Sequence, residues 1–134
     1  SERGTCFLLR TGGTDDNPDY HLFIQLTLPS GPDNEVLIVT VSSVKDGLPF
    51  DETCCLDIGD LEFVTRPSYI RFAKTRLVKI EALTNLARQN KLVMKQYSAS
   101  EQLLRRIRRG FRDSLDVPPV FKTILEFDAQ ADDP

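Results

Sequence analysis

The hydrophobic periodicity of the chain changes near Ile80, and this change restricts the folds that the chain can adopt. Before Ile80, apolar residues alternate with polar ones or form short runs between Gly, Pro, Asn and Asp, a pattern typical of strands and turns. After Ile80, apolar residues recur every three or four positions, which is typical of amphipathic helices. The sequence therefore predicts an α+β fold that is mainly β, with helices in its C-terminal part.

Short strands separated by turn residues are predicted in the first 80 positions. Residues 21–28 place four apolar side chains on one face and Gln25 and Thr27 on the other, which predicts a half-buried strand. Residues 36–41 are apolar on both faces, which predicts a central strand. Further strands are predicted at 5–10, at 53–58, and at 68–80 as one long or two short strands, with a loop at 11–19. This pattern favours a small barrel or a rolled sheet.

Three helices are predicted after residue 80. The first has an apolar face formed by Ala82, Leu83, Leu86 and Ala87, with a stop at Asn90. A connector over 91–97 follows. The spacing of Ser98 and Glu101 then predicts a capping box, in which the hydroxyl and the carboxylate each bind a free backbone N–H. The apolar face of the second helix is formed by Leu103, Leu104, Ile107 and Phe111.

Pro118 and Pro119 predict the start of a last short helix, whose apolar face is formed by Val120, Phe121, Ile124 and Leu125. The length of 134 residues predicts one domain over 1–134. We expect a β-barrel core at 1–80, a helical extension at 81–127 and a disordered acidic tail at 128–134.

Charge is segregated along the chain, although the net charge is only −3. Residues 1–65 carry 3 basic and 12 acidic side chains, residues 66–112 carry 13 basic and 2 acidic, and residues 113–134 carry 1 basic and 6 acidic. A local basic region attracts nucleic-acid phosphates whatever the overall charge is. Three interpretations follow: the basic part neutralises the acidic parts within the fold, binds nucleic acid, or docks an acidic protein partner.

The second helix carries the densest charge in the chain. Its five arginines are Arg105, Arg106, Arg108, Arg109 and Arg112, and all except Arg106 share the side opposite the apolar face. Guanidinium groups bind phosphate in bidentate fashion, so this side predicts contact with an RNA or DNA backbone. The alternative is a solvated outer face or a clamp on the acidic residues 113–134. No aromatic residue alternates with the arginines, so stacking of single-stranded bases is not predicted on this helix.

The cysteines do not predict a disulfide framework, because Cys6, Cys54 and Cys55 are odd in number and two of them are adjacent. We expect them to be reduced in a cytoplasmic protein. The single histidine and the lack of a CxxC pair predict no metal site, and no cofactor is predicted. The longest apolar runs are too short to span a bilayer, and neither a secretory signal nor a membrane partner is predicted.

A series of short segments has the order of a known family. The strands 21–27 and 36–43 are followed by a turn at 44–50, a strand at 53–57 and a segment at 76–83. This order resembles the PemK/MazF family of toxins from bacterial toxin–antitoxin pairs, with Gly4-Thr5, 21–27 and 39–43 in the places of that family's first strands. The resemblance covers about 80 residues and leaves out the basic helix.

The resemblance implies a small SH3-like, PemK-like β-barrel that acts on RNA. It also implies metal-independent endoribonuclease activity, a homodimer and an antitoxin protein as partner. Metal-free cleavage needs a base for the 2′-hydroxyl proton, an acid for the leaving 5′ oxygen and a cation for the charge on phosphorus. The family's arginine and Thr/Ser correspond by position to His21 and to Ser42 or Ser43. Histidine transfers protons near neutral pH but carries no permanent charge, so Arg71 or Arg76 is expected to supply that charge.

The predicted catalytic residues are therefore His21, Ser42, Ser43 and Arg76. The predicted nucleic-acid or partner-binding residues are Arg71, Arg105, Arg108, Arg109 and Arg112. Tyr69 and Phe72 flank Arg71 and are candidates for stacking on RNA, although Phe72 is better suited to the core. Each site residue has a structural alternative, such as a hydrogen-bonded structural role for His21 and turn capping for the serines. The alternative function is a non-catalytic nucleic-acid- or protein-binding module on the same barrel.

Overall fold

The computed structural model of the chain describes residues 2–130, which form seven strands, three α-helices and one short 3-10 helix. The strands are β1 (Thr5–Gly13), β2 (Pro18–Gln25), β3 (Glu35–Ser43), β4 (Cys55–Leu56), β5 (Ser68–Ile70), β6 (Arg76–Lys79) and β7 (Leu92–Ser98). The helices are α1 (Ile80–Arg88), α2 (Glu101–Asp113) and α3 (Pro119–Gln130), and the 3-10 helix is Phe72–Lys74. The predicted α+β class is confirmed.

The strands form one antiparallel sheet in the order β4-β5-β3-β2-β1-β7. The long strand β3 pairs with β2 on one side, while its other side pairs with β6 near its start and with β5 near its end. The segment predicted as one long or two short strands at 68–80 is therefore two short strands, with the 3-10 helix between them. These two strands, β5 and β6, pair with successive parts of the same neighbouring strand, β3.

The edge strands β4 and β7 do not pair with each other in the described residues, so a closed SH3-like barrel is not confirmed. Helix α2 extends across the space between these edges. Near its start, Leu104 lies beside Gly4, which precedes β1, and near its end Gly110 lies beside Thr53 and Cys54, which precede β4. A helix occupies the position where a further strand pairing would be needed to close the sheet.

Two hydrophobic cores lie on opposite faces of the sheet. The larger one packs Leu22, Ile24 and Leu26 against the apolar face of α2, which is buried as predicted. The smaller one packs Phe23 and its neighbours against α1. The strand predicted at 21–28 is β2, which ends at Gln25, but the prediction that only one of its faces is buried is wrong because both faces are covered. Gln25 and Thr27 are buried as well, and both make hydrogen bonds to backbone groups.

The predicted capping box at Ser98 is wrong. Ser98 is the last residue of β7, and α2 begins two residues later than the box requires. Ser100 is the N-cap instead, because its hydroxyl accepts a hydrogen bond from the backbone N–H of Leu103 at 3.1 Å. The connector predicted at 91–97 is the edge strand β7, which interrupts the expected helical extension at 81–127.

Two further boundaries differ from the sequence prediction. The loop predicted at 11–19 is a β-hairpin, because β1 continues past Arg10 through a bulge to pair Gly13 with Pro18. The acidic tail predicted at 128–134 begins too early, because α3 extends to Gln130 and Asp128 forms a 2.8 Å ion pair with Arg3. The rest of that predicted tail, 131–134, lies outside the described residues.

A side chain added at Gly110 of α2 would collide with the chain segment just before β4. A Cβ atom there would lie 2.8 Å from the Thr53 carbonyl oxygen and 2.8 Å from Cys54 Cβ. We expect Gly110→Ala to lower the free energy of unfolding by about 1–2 kcal/mol in urea denaturation. Overpacking costs more than the gain of up to about 1 kcal/mol in helix propensity. Gln102→Ala on the exposed side of α2 is the control, and a stabilised Gly110→Ala would contradict the packing argument.

Candidate functional site

A cavity of about 710 Å³ lies at the end of the sheet where β2 begins and β3 ends. It extends between the loop after β3 and the loop before β5, whose bases are joined by a hydrogen bond from Val44 N–H to the Pro67 carbonyl. The cavity is lined by Tyr20, His21, Leu22, Val41, Ser42, Ser43, Lys45, Leu48, Pro49, Phe50, Phe63, Thr65, Arg66, Ser68, Tyr69 and Arg71.

Four of the predicted site residues line this cavity, namely His21, Ser42, Ser43 and Arg71. Strand register brings them together. Phe23 pairs with Thr40 across β2 and β3, which directs His21 toward the end of β3, and Ser42 pairs with Tyr69 across β3 and β5. Residues far apart in sequence therefore meet because β3 is shared by both neighbours.

The imidazole of His21 is exposed and held in place from one side. Its Nδ1 shares a hydrogen bond with the hydroxyl of Thr11 on the neighbouring strand. No other group in the described part of the chain hydrogen-bonds this ring, so Nε2 remains for a ligand. Neither Ser42 nor Ser43 bonds to His21, so residues 2–130 contain no Ser–His nucleophile pair of the kind used in acyl transfer.

The charges that line the cavity are all positive. Lys45, Arg66 and Arg71 belong to the lining, and no Asp or Glu does. None of the three cations forms an ion pair with a described residue. Low-dielectric walls with charge of one sign concentrate counter-ions, so the cavity is suited to an anionic ligand.

Aromatic rings and hydroxyl groups complete the lining. Phe50 and Tyr69 pack together with ring centroids 4.9 Å apart, and Tyr20 and Phe63 add two more rings. The hydroxyls of Ser42, Ser43 and Thr65 have no hydrogen-bond partner among residues 2–130, so they remain available to a ligand. The sequence prediction missed Lys45, Arg66 and three of the four rings, because these residues belong to no recognisable motif.

Arg76 lies outside the cavity. It is the first residue of β6 and pairs with Ile38 on β3, and its guanidinium lies over the ring of Phe23, 5.3 Å from the ring centroid. A cation over an aromatic face is stabilised by the ring quadrupole. The structure therefore does not bring Arg76 together with Ser42 and Ser43 in one cavity, and its predicted catalytic role remains a prediction.

The basic helix is partly neutralised within the fold. Arg106 hydrogen-bonds Asp60 at 2.7 Å, Arg108 pairs with Glu101 at 3.5 Å, and Arg112 pairs with Glu126 at 2.6 Å. Arg105 and Arg109 have no ion-pair partner in the described range and are exposed. The clamp on the acidic C-terminal part, one of the three open alternatives, is thus present at Arg112. Two arginines remain open to a partner.

The ion pair between Arg106 and Asp60 makes stability depend on pH. The hydrogen bond from Arg106 lowers the pKa of Asp60 below its ordinary value of 3.8, while burial of the carboxyl opposes this shift. A carboxyl with a lowered folded pKa stabilises the fold above the unfolded pKa, and this contribution is lost as pH falls through the folded pKa.

We expect Arg106→Gln to lower the free energy of unfolding by about 0.5–1 kcal/mol at pH 7, because the pair is partly exposed. The difference from the wild type should narrow as pH falls below the ordinary 3.8 of Asp60. Urea denaturation of both proteins, from pH 7 to below this pKa, measures the difference in the free energy of unfolding. Arg105→Gln, which removes an exposed and unpaired charge, is the control. A pH-independent difference would show that the pair with Asp60 does not carry the effect.

The three cysteines are free thiols. Burial raises the pKa of both Cys6 and Cys54 to about 11, so these two are inert hydrophobes near neutral pH. Burial also raises the pKa of the more exposed Cys55. Among residues 2–130, no group of three or more His, Cys, Asp and Glu side chains is placed to hold a metal ion. No helix in this range is long and apolar enough to cross a membrane.

Comparison with known proteins finds no relative of this chain. No family model, no curated protein and no solved structure matches it significantly. The cavity and its lining are thus the observations from which function can be argued.

Proposed function

We propose that the chain is a metal-independent endoribonuclease that binds single-stranded RNA in the cavity. One observation carries the proposal: the only imidazole of the chain opens into a cavity with three unpaired cations and no lining carboxylate. Phosphodiesters are anions, and cleavage without a metal needs a proton acceptor beside positive charge. A lining without carboxylates does not provide the oxygen ligands that magnesium prefers.

The proposed reaction is transesterification at an RNA phosphate. His21 takes the proton of the 2′-hydroxyl, and the 2′ oxygen attacks phosphorus as the bond from phosphorus to the 5′ oxygen breaks. The imidazolium returns the proton to the leaving 5′ oxygen, so protons balance over the step. Arg71, Arg66 and Lys45 stabilise the negative charge on the pentacoordinate phosphorus, and Thr11 orients the ring through Nδ1. The products are a 2′,3′-cyclic phosphate and a 5′-hydroxyl end.

We also propose that the chain is a distant relative of the PemK/MazF toxins and that its sheet is an opened SH3-like barrel. Two observations support this proposal. One side of β3 pairs with β6 near its start and with β5 near its end, and α2 extends across the space between the open edges. The proposal includes a cytoplasmic, bacterial toxin with an antitoxin partner and a homodimeric state. Ser42 and Ser43 act in it as hydroxyls that contact RNA.

Cleavage of labelled RNA tests the proposal. The purified chain should cut a single-stranded RNA of mixed sequence in the presence of EDTA and leave cyclic phosphate ends. It should leave the same strand intact when every sugar is 2′-O-methylated, because the attacking hydroxyl is then blocked. Intact RNA under all conditions, or cleavage only after a divalent ion is added, would refute the proposed activity.

A non-catalytic RNA-binding module is the second candidate. The observation that favours it is that His21 has no second acid–base side chain of its kind in the cavity, since the lining holds no carboxylate and no other histidine. The binding surface would be unchanged in that case. Binding of the 2′-O-methylated strand, together with an intact unmodified strand, would select this candidate.

A further inference from the structure

The cavity has an apolar side that phosphate binding does not use. Phe63 is 42% exposed and Leu48 is 60% exposed, yet both line the cavity. Together with Phe50 and Tyr69, they give the cavity a wall of rings and aliphatic surface next to its cations. Apolar surface left in water costs about 25 cal/mol per Å², so a wall of this kind favours a ligand with a flat apolar face.

Tyr69 is the best-positioned ring of this wall. It lies in the middle of β5 and pairs with Ser42 on one side and with Cys55 on the other. Its ring is backed by Phe50, with centroids 4.9 Å apart and an angle of 38° between the ring planes. A ring held by two strands and one neighbour is already ordered, so stacking on it costs little conformational entropy.

The loop that carries Phe50 is anchored independently. The Asp51 carboxylate accepts hydrogen bonds from the Thr53 N–H, from the Thr53 hydroxyl and from the Ser114 hydroxyl at 2.6 Å. Ser114 is buried at the end of α2. The ring that backs Tyr69 is therefore held by contacts away from the cavity.

A cation of the cavity lining lies close to Tyr69 along the chain. Arg71 follows Tyr69 by two residues, so their Cα atoms are at most about 7 Å apart. Its backbone N–H bonds to the Thr40 carbonyl at 2.9 Å, which fixes the position of its backbone. A base on the Tyr69 ring and its phosphate near Arg71 are compatible with this separation.

We propose that Tyr69, backed by Phe50, is a stacking subsite for one unpaired nucleobase, whose phosphate is bound by Arg71. This inference rests on the proposed RNA ligand and adds the reason why the strand must be single. A base held in a duplex presents its edge rather than its face, so it cannot stack on a ring in the wall of a cavity. Stacking on an aromatic side chain tolerates every base.

Comparing the affinities of two proteins for two probes separates the contribution of the bases from that of the phosphates. The probes are a 2′-O-methyl uridine hexamer, which cannot be cleaved, and a hexamer of the same sugars and phosphates without bases. The wild type should prefer the hexamer with bases. Tyr69→Leu should reduce this preference by about 5- to 150-fold, which corresponds to about 1–3 kcal/mol for one stacked base. Its affinity for the baseless hexamer should not change, which also shows that the cavity is intact.

Two aromatic variants keep the test decisive if Tyr69→Leu does not fold. Tyr69→Phe should retain the preference for bases. Tyr69→Trp gives the chain its only tryptophan, and base-containing RNA should quench its fluorescence while the baseless hexamer should not. Unchanged preference in Tyr69→Leu, or no quenching in a Tyr69→Trp that binds RNA, would overturn the subsite and leave the proposed function standing. Wild-type protein that binds neither hexamer would overturn both.

Discussion

Replacing His21 with alanine should lower the rate of RNA cleavage by about 10²- to 10⁴-fold, the usual contribution of one general acid–base group. The imidazole is the only one in the chain, so no neighbouring histidine can take over the proton. The ring is exposed and its one hydrogen bond is to Thr11, so its removal should leave the free energy of unfolding within about 0.5 kcal/mol of the wild type. Single-turnover cleavage of the labelled strand measures the rate.

Three controls separate proton transfer from a structural role of His21. Free imidazole added to His21→Ala should restore part of the rate, because the lost side chain leaves an open space at the cavity. Thr11→Val should reduce the rate much less, since it frees the ring without removing it. Binding of the 2′-O-methylated strand should be nearly unchanged in His21→Ala. Full cleavage by His21→Ala would end the assignment of His21 as the proton-transfer group and would require another residue for that role.

The sheet was predictable from sequence where the hydrophobic pattern alone decides it. The central strand at 36–41 is β3, and the arc of Leu103, Ile107 and Phe111 is the buried face of α2. Burial on both faces of β2 was not predictable, because Gln25 and Thr27 have the polarity of an exposed face. Their side chains bond to backbone groups that the sequence pattern does not show. The contact of α2 with the chain before β4 is likewise a tertiary contact that the hydrophobic pattern does not show.

The site was predictable only in part, because the positions of its basic residues depend on the fold. Lys45 and Arg66 are 21 positions apart in sequence, and the pairing of β3 with β5 brings their loops together. The basic helix α2 was predicted to bind nucleic acid or a partner because its arginines lie close together in sequence. In the folded chain, however, such charges form ion pairs with carboxylates from other segments. Three of the five helix arginines have a carboxylate within 4 Å. What counts for binding is the charge left without a partner after folding.

This distinction can be measured by removing two unpaired arginines from each place. The double variant Arg66→Gln/Arg71→Gln takes two cations from the cavity. The double variant Arg105→Gln/Arg109→Gln takes two exposed cations from α2 and leaves the same net charge. Since no described carboxylate pairs with any of the four, neither change leaves a partner uncompensated. A difference between the variants therefore reports where the phosphates lie.

We expect the cavity variant to bind the 2′-O-methylated strand about 10- to 100-fold more weakly than the wild type at moderate salt. Over two contacts this loss corresponds to about 0.7–1.4 kcal/mol for each hydrogen bond from arginine to phosphate, in the usual net range for a hydrogen bond. The slope of log affinity against log salt should become shallower by about 1.4, since a single strand contributes about 0.7 for each neutralised phosphate. The α2 variant should change affinity by less than about threefold, because a charge outside the contact acts only through a screened field. Equal losses in the two variants would place the RNA across the helix as well, and a loss in the α2 variant alone would move the binding surface from the cavity to α2.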